Sequence, residues 1–140
     1  TVLRAGEQEF AAQEMDALVR AGEGSPGKAL RYAGLNLAEI EAALASIATD
    51  GDPGNRHRLL LAKTLATKAA RPRYEAFLER APAFLAEAAR HRNGPALGVA
   101  LDHWEEARRL AGGAIILSLD PAAVVFELAG HVAALAPRAA

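Results

Sequence analysis

The chain has 140 residues, a formal net charge of −1 and no cysteine, and 51% of it is hydrophobic with alanine dominating that class. That length suits one domain of ordinary size with room for a core that needs no staples. The near-zero charge excludes a domain-wide nucleic-acid footprint, and the missing cysteines exclude a disulfide framework and a thiolate metal site. Few aromatic and β-branched residues among many alanines predict helix packed on helix, an all-α bundle. No apolar run reaches membrane-spanning length and no signal peptide opens the chain, so a cytoplasmic location is expected. The sequence opens on Thr1 rather than Met, and the expectation is a piece of a longer protein.

Residues 1–8 show no periodicity. From Glu9 to Ala21, Phe10, Met15, Leu18 and Val19 form a rough helical stripe that Gly22 and Gly24 end. Gly24-Ser25-Pro26-Gly27 is a turn into a short helix ending at Gly34, with Pro26 in the first helical turn, where its missing N–H costs nothing. Asn36 and Glu39 have capping-box spacing ahead of a third helix carrying Leu37, Ile40, Leu44 and Ile47. Asp50-Gly51-Asp52-Pro53-Gly54 is a loop, and Asn55 is the expected cap of a fourth helix running to about Ala70. Leu59, Leu60 and Leu61 in a row exceed one stripe and predict burial on two sides.

Pro72 opens a fifth helix, in which Pro82 predicts a kink or break. After Asn93-Gly94-Pro95, Leu97, Ala100, Leu101, Trp104, Ala107 and Ala111 share the stripe of a sixth helix, with Trp104 expected in the core. Ile115 to Leu119 is apolar but lacks a strand partner, and is expected to be a connector. Asp120 caps, and Pro121 opens, a last helix to about Leu135. Val124, Val125, Leu128, Val132 and Leu135 fall within about 100° on that helix. Phe126, Ala122, Ala129 and Ala133 lie on its far side, and Glu127 and His131 occupy the polar strip between. Such a helix is either central in its own domain or shared with a partner.

Catalytic patterns are not evident. Carboxylate–histidine pairs occur at i,i+4 (Glu87 with His91, Glu127 with His131), but neither the Glu-x-x-His spacing of di-iron bundles nor a His-Glu-x-x-His helix is present. The histidines therefore read as exposed or salt-bridging, with no metal and no cofactor expected. Asp102, His103 and Ser118 can be strung into a triad only on paper, since no strained elbow or oxyanion hole accompanies Ser118. There is no phosphate loop. Residues 53–74 contain no acidic residue but carry Arg56, Arg58, Lys63, Lys68, Arg71 and Arg73, a basic face open to solvent, to an acidic partner or to phosphates.

Two stretches carry a family resemblance. Gly24-Ser25-Pro26-Gly27-Lys28-Ala29-Leu30 resembles the turn into the sensor-2 helix of clamp-loader AAA+ proteins, in the form found in the delta prime subunits of bacterial DNA polymerase III. The tail His103-Trp104-Glu105-Glu106-Ala107-Arg108-Arg109-Leu110, followed by Leu117-Ser118-Leu119-Asp120-Pro121, is similar to that family's last two helices, where asparagine commonly stands at the position of Ser118. The resemblance implies that residues 1–34 are the end of an AAA+ lid and residues 35–140 an all-helical collar, with the phosphate-loop domain upstream. In the ATP-binding gamma/tau relatives an arginine of this turn reaches the phosphates; here its place falls on Gly27, and Lys28 is about 100° further around the helix. The implied role is assembly with delta and gamma/tau subunits, without ATP hydrolysis. The sliding clamp and primed DNA would be met only through the whole complex, and the isolated chain could pair with itself. Phe126 and the basic residues Arg56, Arg58 and Lys63 are the expected subunit contacts. The alternatives are a helical interaction or small-ligand-binding domain of a regulator, which predicts an enclosed apolar cavity between helices, and a metal or hydrolytic enzyme, which needs converging histidine and carboxylate side chains.

Overall fold

The computed structural model describes residues 35–137, and these contain five α-helices and no strand. The helices are α1 Leu37–Asp50, α2 Arg56–Leu65, α3 Arg71–Arg90, α4 Gly94–Gly113 and α5 Pro121–Ala133, with a 3-10 turn at Lys68–Ala70 ahead of α3. The chain divides into two compact units, Thr1–Ala42 and Ala43–Ala140, and the boundary falls inside α1. The lid expected over residues 1–34, with its turn Gly24, Ser25, Pro26, Gly27 and Lys28, lies outside the described residues. No helix among the described residues is long and apolar enough to cross a membrane.

In the first unit, Leu37 and Ile40 are fully buried on one face of α1, as the spacing predicts. The start of α1 departs from the expected capping box. Asn36 takes a left-handed backbone (φ 56°), and its amide donates to the Glu39 carboxylate at 2.6 Å. A residue in that conformation has its side chain turned away from the N3 amide, which bonds the Asn36 carbonyl instead (3.2 Å).

In the second unit, α3 and α4 form the most extensive helix pair, and α5 packs against α2, α3 and α4. The core is built from Tyr74, Phe77 and Leu85 of α3, Leu65 of α2, and Val125, Leu128 and Val132 of α5. Each such side chain contributes about 1.5–3 kcal/mol by leaving water. The whole Val124–Leu135 stripe is buried, so that face of α5 belongs to its own unit.

Four local expectations differ from what is seen. α2 stops at Leu65 rather than near Ala70, because Thr67 turns extended and its hydroxyl accepts from Ala70 N–H (3.2 Å), starting a new turn. α3 continues through Pro82 rather than breaking there; its neighbours Ala81 and Leu85 are fully buried, and that packing offsets the missing N–H. Leu59 and Leu60 are not buried on two sides but lie exposed. On α4 only Ala100 and Ala107 are fully buried, while Trp104 is half-buried and Leu101 exposed. The stripe of α4 is thus wider than the surface its own unit covers.

Candidate functional site

Of the expected contact residues, Arg58 and Phe126 are brought together, while Arg56 and Lys63 are exposed. The corner that joins them starts at the end of α1. Gly51 (φ 78°) bonds back to the Ile47 carbonyl at 2.9 Å, a left-handed helix stop that glycine makes without a Cβ penalty. A Cβ there would also press on Ala136 at 3.2 Å. The turn delivers Asp52, buried, to the start of α2. Its Oδ1 accepts from His57 N–H (3.1 Å) and its Oδ2 from Arg58 N–H (2.9 Å). Asp52, not Asn55, is therefore the cap of α2. Asn55 has a left-handed backbone (φ 60°) and its side chain makes no capping bond; it accepts instead from the Arg58 guanidinium.

Arg58 also stands 3.5 Å from the Asp52 carboxylate through Nε, an ion-pair rather than a hydrogen-bond distance. Its guanidinium lies over the Phe126 ring at 4.6 Å from the centroid and beside Gly130 of α5. Burial pushes the Asp52 carboxyl upward. The N–H bonds from Arg58 and His57 and the nearby positive side chains outweigh it, so the group sits below its ordinary value. Arg58 and half-buried Phe126 thus hold α2 against α5 within the fold. An open hollow of about 570 Å³ lies alongside, lined by Asp50, Asp52, Pro53, Gly54, Arg56, His57 and Leu60.

Apolar surface is concentrated elsewhere. Leu59 and Leu60 of α2 are 57% and 64% exposed. The α4–α5 connection presents Ile116 and Leu117 at 84% and 68%. This connection is the expected connector, and its geometry is defined. Leu119 N–H bonds the Ala114 carbonyl (3.0 Å) and Ser118 N–H that of Ile115 (3.1 Å), with Ser118 left-handed (φ 52°). That is a Schellman closure with Ser118 in the seat glycine or asparagine favours. Asp120 then caps α5 by accepting from Ala123 N–H (3.0 Å). Between α3 and α4 an open apolar groove of about 330 Å³ is lined by Ala86, Ala89, Arg90, Leu97, Leu101 and Trp104. Arg108 lies over the Trp104 ring at 5.5 Å. The groove is open to solvent.

One cluster was not foreseen. His103 of α4 and His131 of α5 face each other with Nδ1 atoms 2.8 Å apart, and Glu106 brings a carboxylate oxygen to 3.7 Å from His131 Nδ1. Burial, and then the neighbouring His103, lower the pKa of His131, while Glu106 and Glu127 act in the opposite sense. The expected Glu127–His131 pairing is thus only electrostatic, and the short contacts run between helices. The sequence signal was slight: His131 lies on a polar strip between two apolar faces, and His103 adjoins the stripe residue Trp104.

No known protein family, curated protein or solved structure matches this chain.

Proposed function

We propose that the chain is a non-catalytic assembly module, the helical collar of a clamp-loader subunit similar to delta prime, working in the cytoplasm beside delta and gamma/tau subunits. The observation that carries this reading is a well-packed helical unit that leaves whole apolar side chains outside it: Leu59 and Leu60 on α2, and Ile116 and Leu117 between α4 and α5. Large apolar side chains left exposed in adjacent pairs are the kind of surface a protein partner covers. The resemblance supports the same reading. Ser118 occupies a left-handed seat that asparagine, common at this place in the family, adopts readily. Gly27 stands where an ATP-contacting arginine would fall, and glycine has no side-chain donor to sense a phosphate.

Arg56 and Lys63, exposed on α2, are the basic contacts in this reading, and the half-exposed edge of Phe126 is the third. The test is co-elution of the chain with purified delta and gamma/tau subunits. The wild-type chain enters the complex, and Leu60→Asp and Ile116→Asp abolish entry while leaving the helical spectrum intact. A wild-type chain that joins neither subunit overturns the reading. Assembly unchanged in Phe126→Asp removes Phe126 from the contact.

A further inference from the structure

Two imidazole nitrogens 2.8 Å apart cannot both present a lone pair. Either one Nδ1 carries a proton toward the other, or a cation stands in that proton's place. We propose that His103, Glu106 and His131 form a binding site for a divalent transition-metal ion, zinc first among them, which ties α4 to α5. The site is independent of the assembly reading.

Three features support a cation. The ligand atoms of all three residues lie within 4.8 Å of one another. His103 and Glu106 are three residues apart on α4 and so share one helix face, while His131 comes from α5, so the ion would bridge two helices. A second carboxylate, Glu127, lies four residues before His131 on α5, so negative side chains come from both helices. The donor set also selects the metal: imidazole suits zinc, copper, iron and nickel, whereas magnesium and calcium prefer all-oxygen shells.

The fit needs small movements. Bonds of about 2.0–2.1 Å at a tetrahedral zinc place two nitrogens about 3.3 Å apart, so the ring nitrogens would separate by about half an ångström. Glu106 would close on His131 from 3.7 Å by a few tenths of an ångström and on His103 by up to about 1.5 Å, a swing its exposed side chain can make. Two histidines and a carboxylate leave a fourth position for water, the pattern of an open rather than a closed zinc site.

Titration calorimetry of the full chain with Zn²⁺ alone tests the proposal. One ion binds per chain, saturating Zn²⁺ raises the melting temperature by roughly 5 °C or more, and Co²⁺ in place of Zn²⁺ gives the visible absorption of a low-symmetry site. Glu106→Gln, at an exposed position, and His103→Gln each weaken binding by about tenfold or more while leaving the helical spectrum intact. His57→Gln, His91→Gln and Glu105→Gln leave it unchanged. The proposal is overturned by the absence of a one-to-one isotherm, by binding that persists unchanged in both Glu106→Gln and His103→Gln, or by equal loss in the His57 or His91 variants.

Discussion

The two ends of the connections into α2 and α5 handle their side chains in opposite ways. At the α1–α2 corner, Asp52, Asn55, Arg58 and Phe126 engage one another. The carboxylate there satisfies two backbone donors and lies against a cation that itself covers an aromatic ring. At the α4–α5 corner the backbone is equally well closed, by the Schellman bonds and the Asp120 cap, yet Ile116 and Leu117 remain largely exposed. The first corner uses polar groups to hold helices together. The second is closed by backbone bonds and a cap, and leaves its apolar side chains mostly in solvent. The Arg58–Phe126 pair thus has a role inside the fold, whereas the exposed apolar turn has none there.

Substitutions at the two corners put that contrast to the test. The largest effect is expected from Asp52→Ala, which strips two capping bonds and leaves Arg58 without its ion-pair partner, costing about 2–3 kcal/mol in urea unfolding. The same residue sets an acid dependence. Its folded pKa lies below the ordinary 3.8, so its contribution is complete above that value and is lost as the pH falls through the folded pKa. Wild-type stability measured from pH 6 downward should therefore drop more steeply below about pH 4 than that of Asp52→Asn. A wild-type acid limb no steeper than the variant's would show that the corner is not electrostatically coupled.

Next in size is Ser118. A serine in a left-handed seat carries backbone strain that glycine lacks, so Ser118→Gly should stabilise by about 0.5–1 kcal/mol and Ser118→Val destabilise by about 1 kcal/mol, read from thermal melts. A smaller and more diagnostic change is Gly130→Ala. Alanine favours a helix interior over glycine by about 0.8–1 kcal/mol, but the new Cβ would stand 3.0 Å from Arg58 Nη1. The two effects should nearly cancel in the wild type. In an Asp52→Ala background Arg58 can give way, and the alanine gain of about 0.8 kcal/mol should emerge. The smallest effect on stability is expected from Ile116→Asp, within about 0.5 kcal/mol, because nothing in its own unit covers Ile116. A large loss there would mean the connector packs against its own chain after all.

Much of the second unit was legible in the residues. Asp120-Pro121 marks the start of α5, and the Val124–Leu135 spacing marks its buried face, because both depend on local geometry and period. The cap of α2 was misread because Asn55 adjoins the helix while Asp52 does not; a left-handed Asn55 brings the more distant carboxylate onto the amides. Leu59, Leu60 and Trp104 were misplaced because hydrophobicity reports preference for burial, not whether a neighbouring element is present to provide it. The expected contact residues were placed by charge and ring character, which cannot distinguish a partner's surface from a helix of the same chain.

By itself the sequence determined that this protein is helical, roughly where each helix of the second unit begins, and which stripe of α5 faces inward, since 3.6-residue periodicity and helix-end chemistry are written over a few neighbouring residues. The tertiary structure alone decided the rest. It set Arg58 over Phe126 from α2 to α5, left Ile116 and Leu117 outside, and brought His103 to His131 across 28 positions of sequence. Those juxtapositions depend on how helices pack and turn against one another, and no local pattern encodes a contact between side chains on different helices.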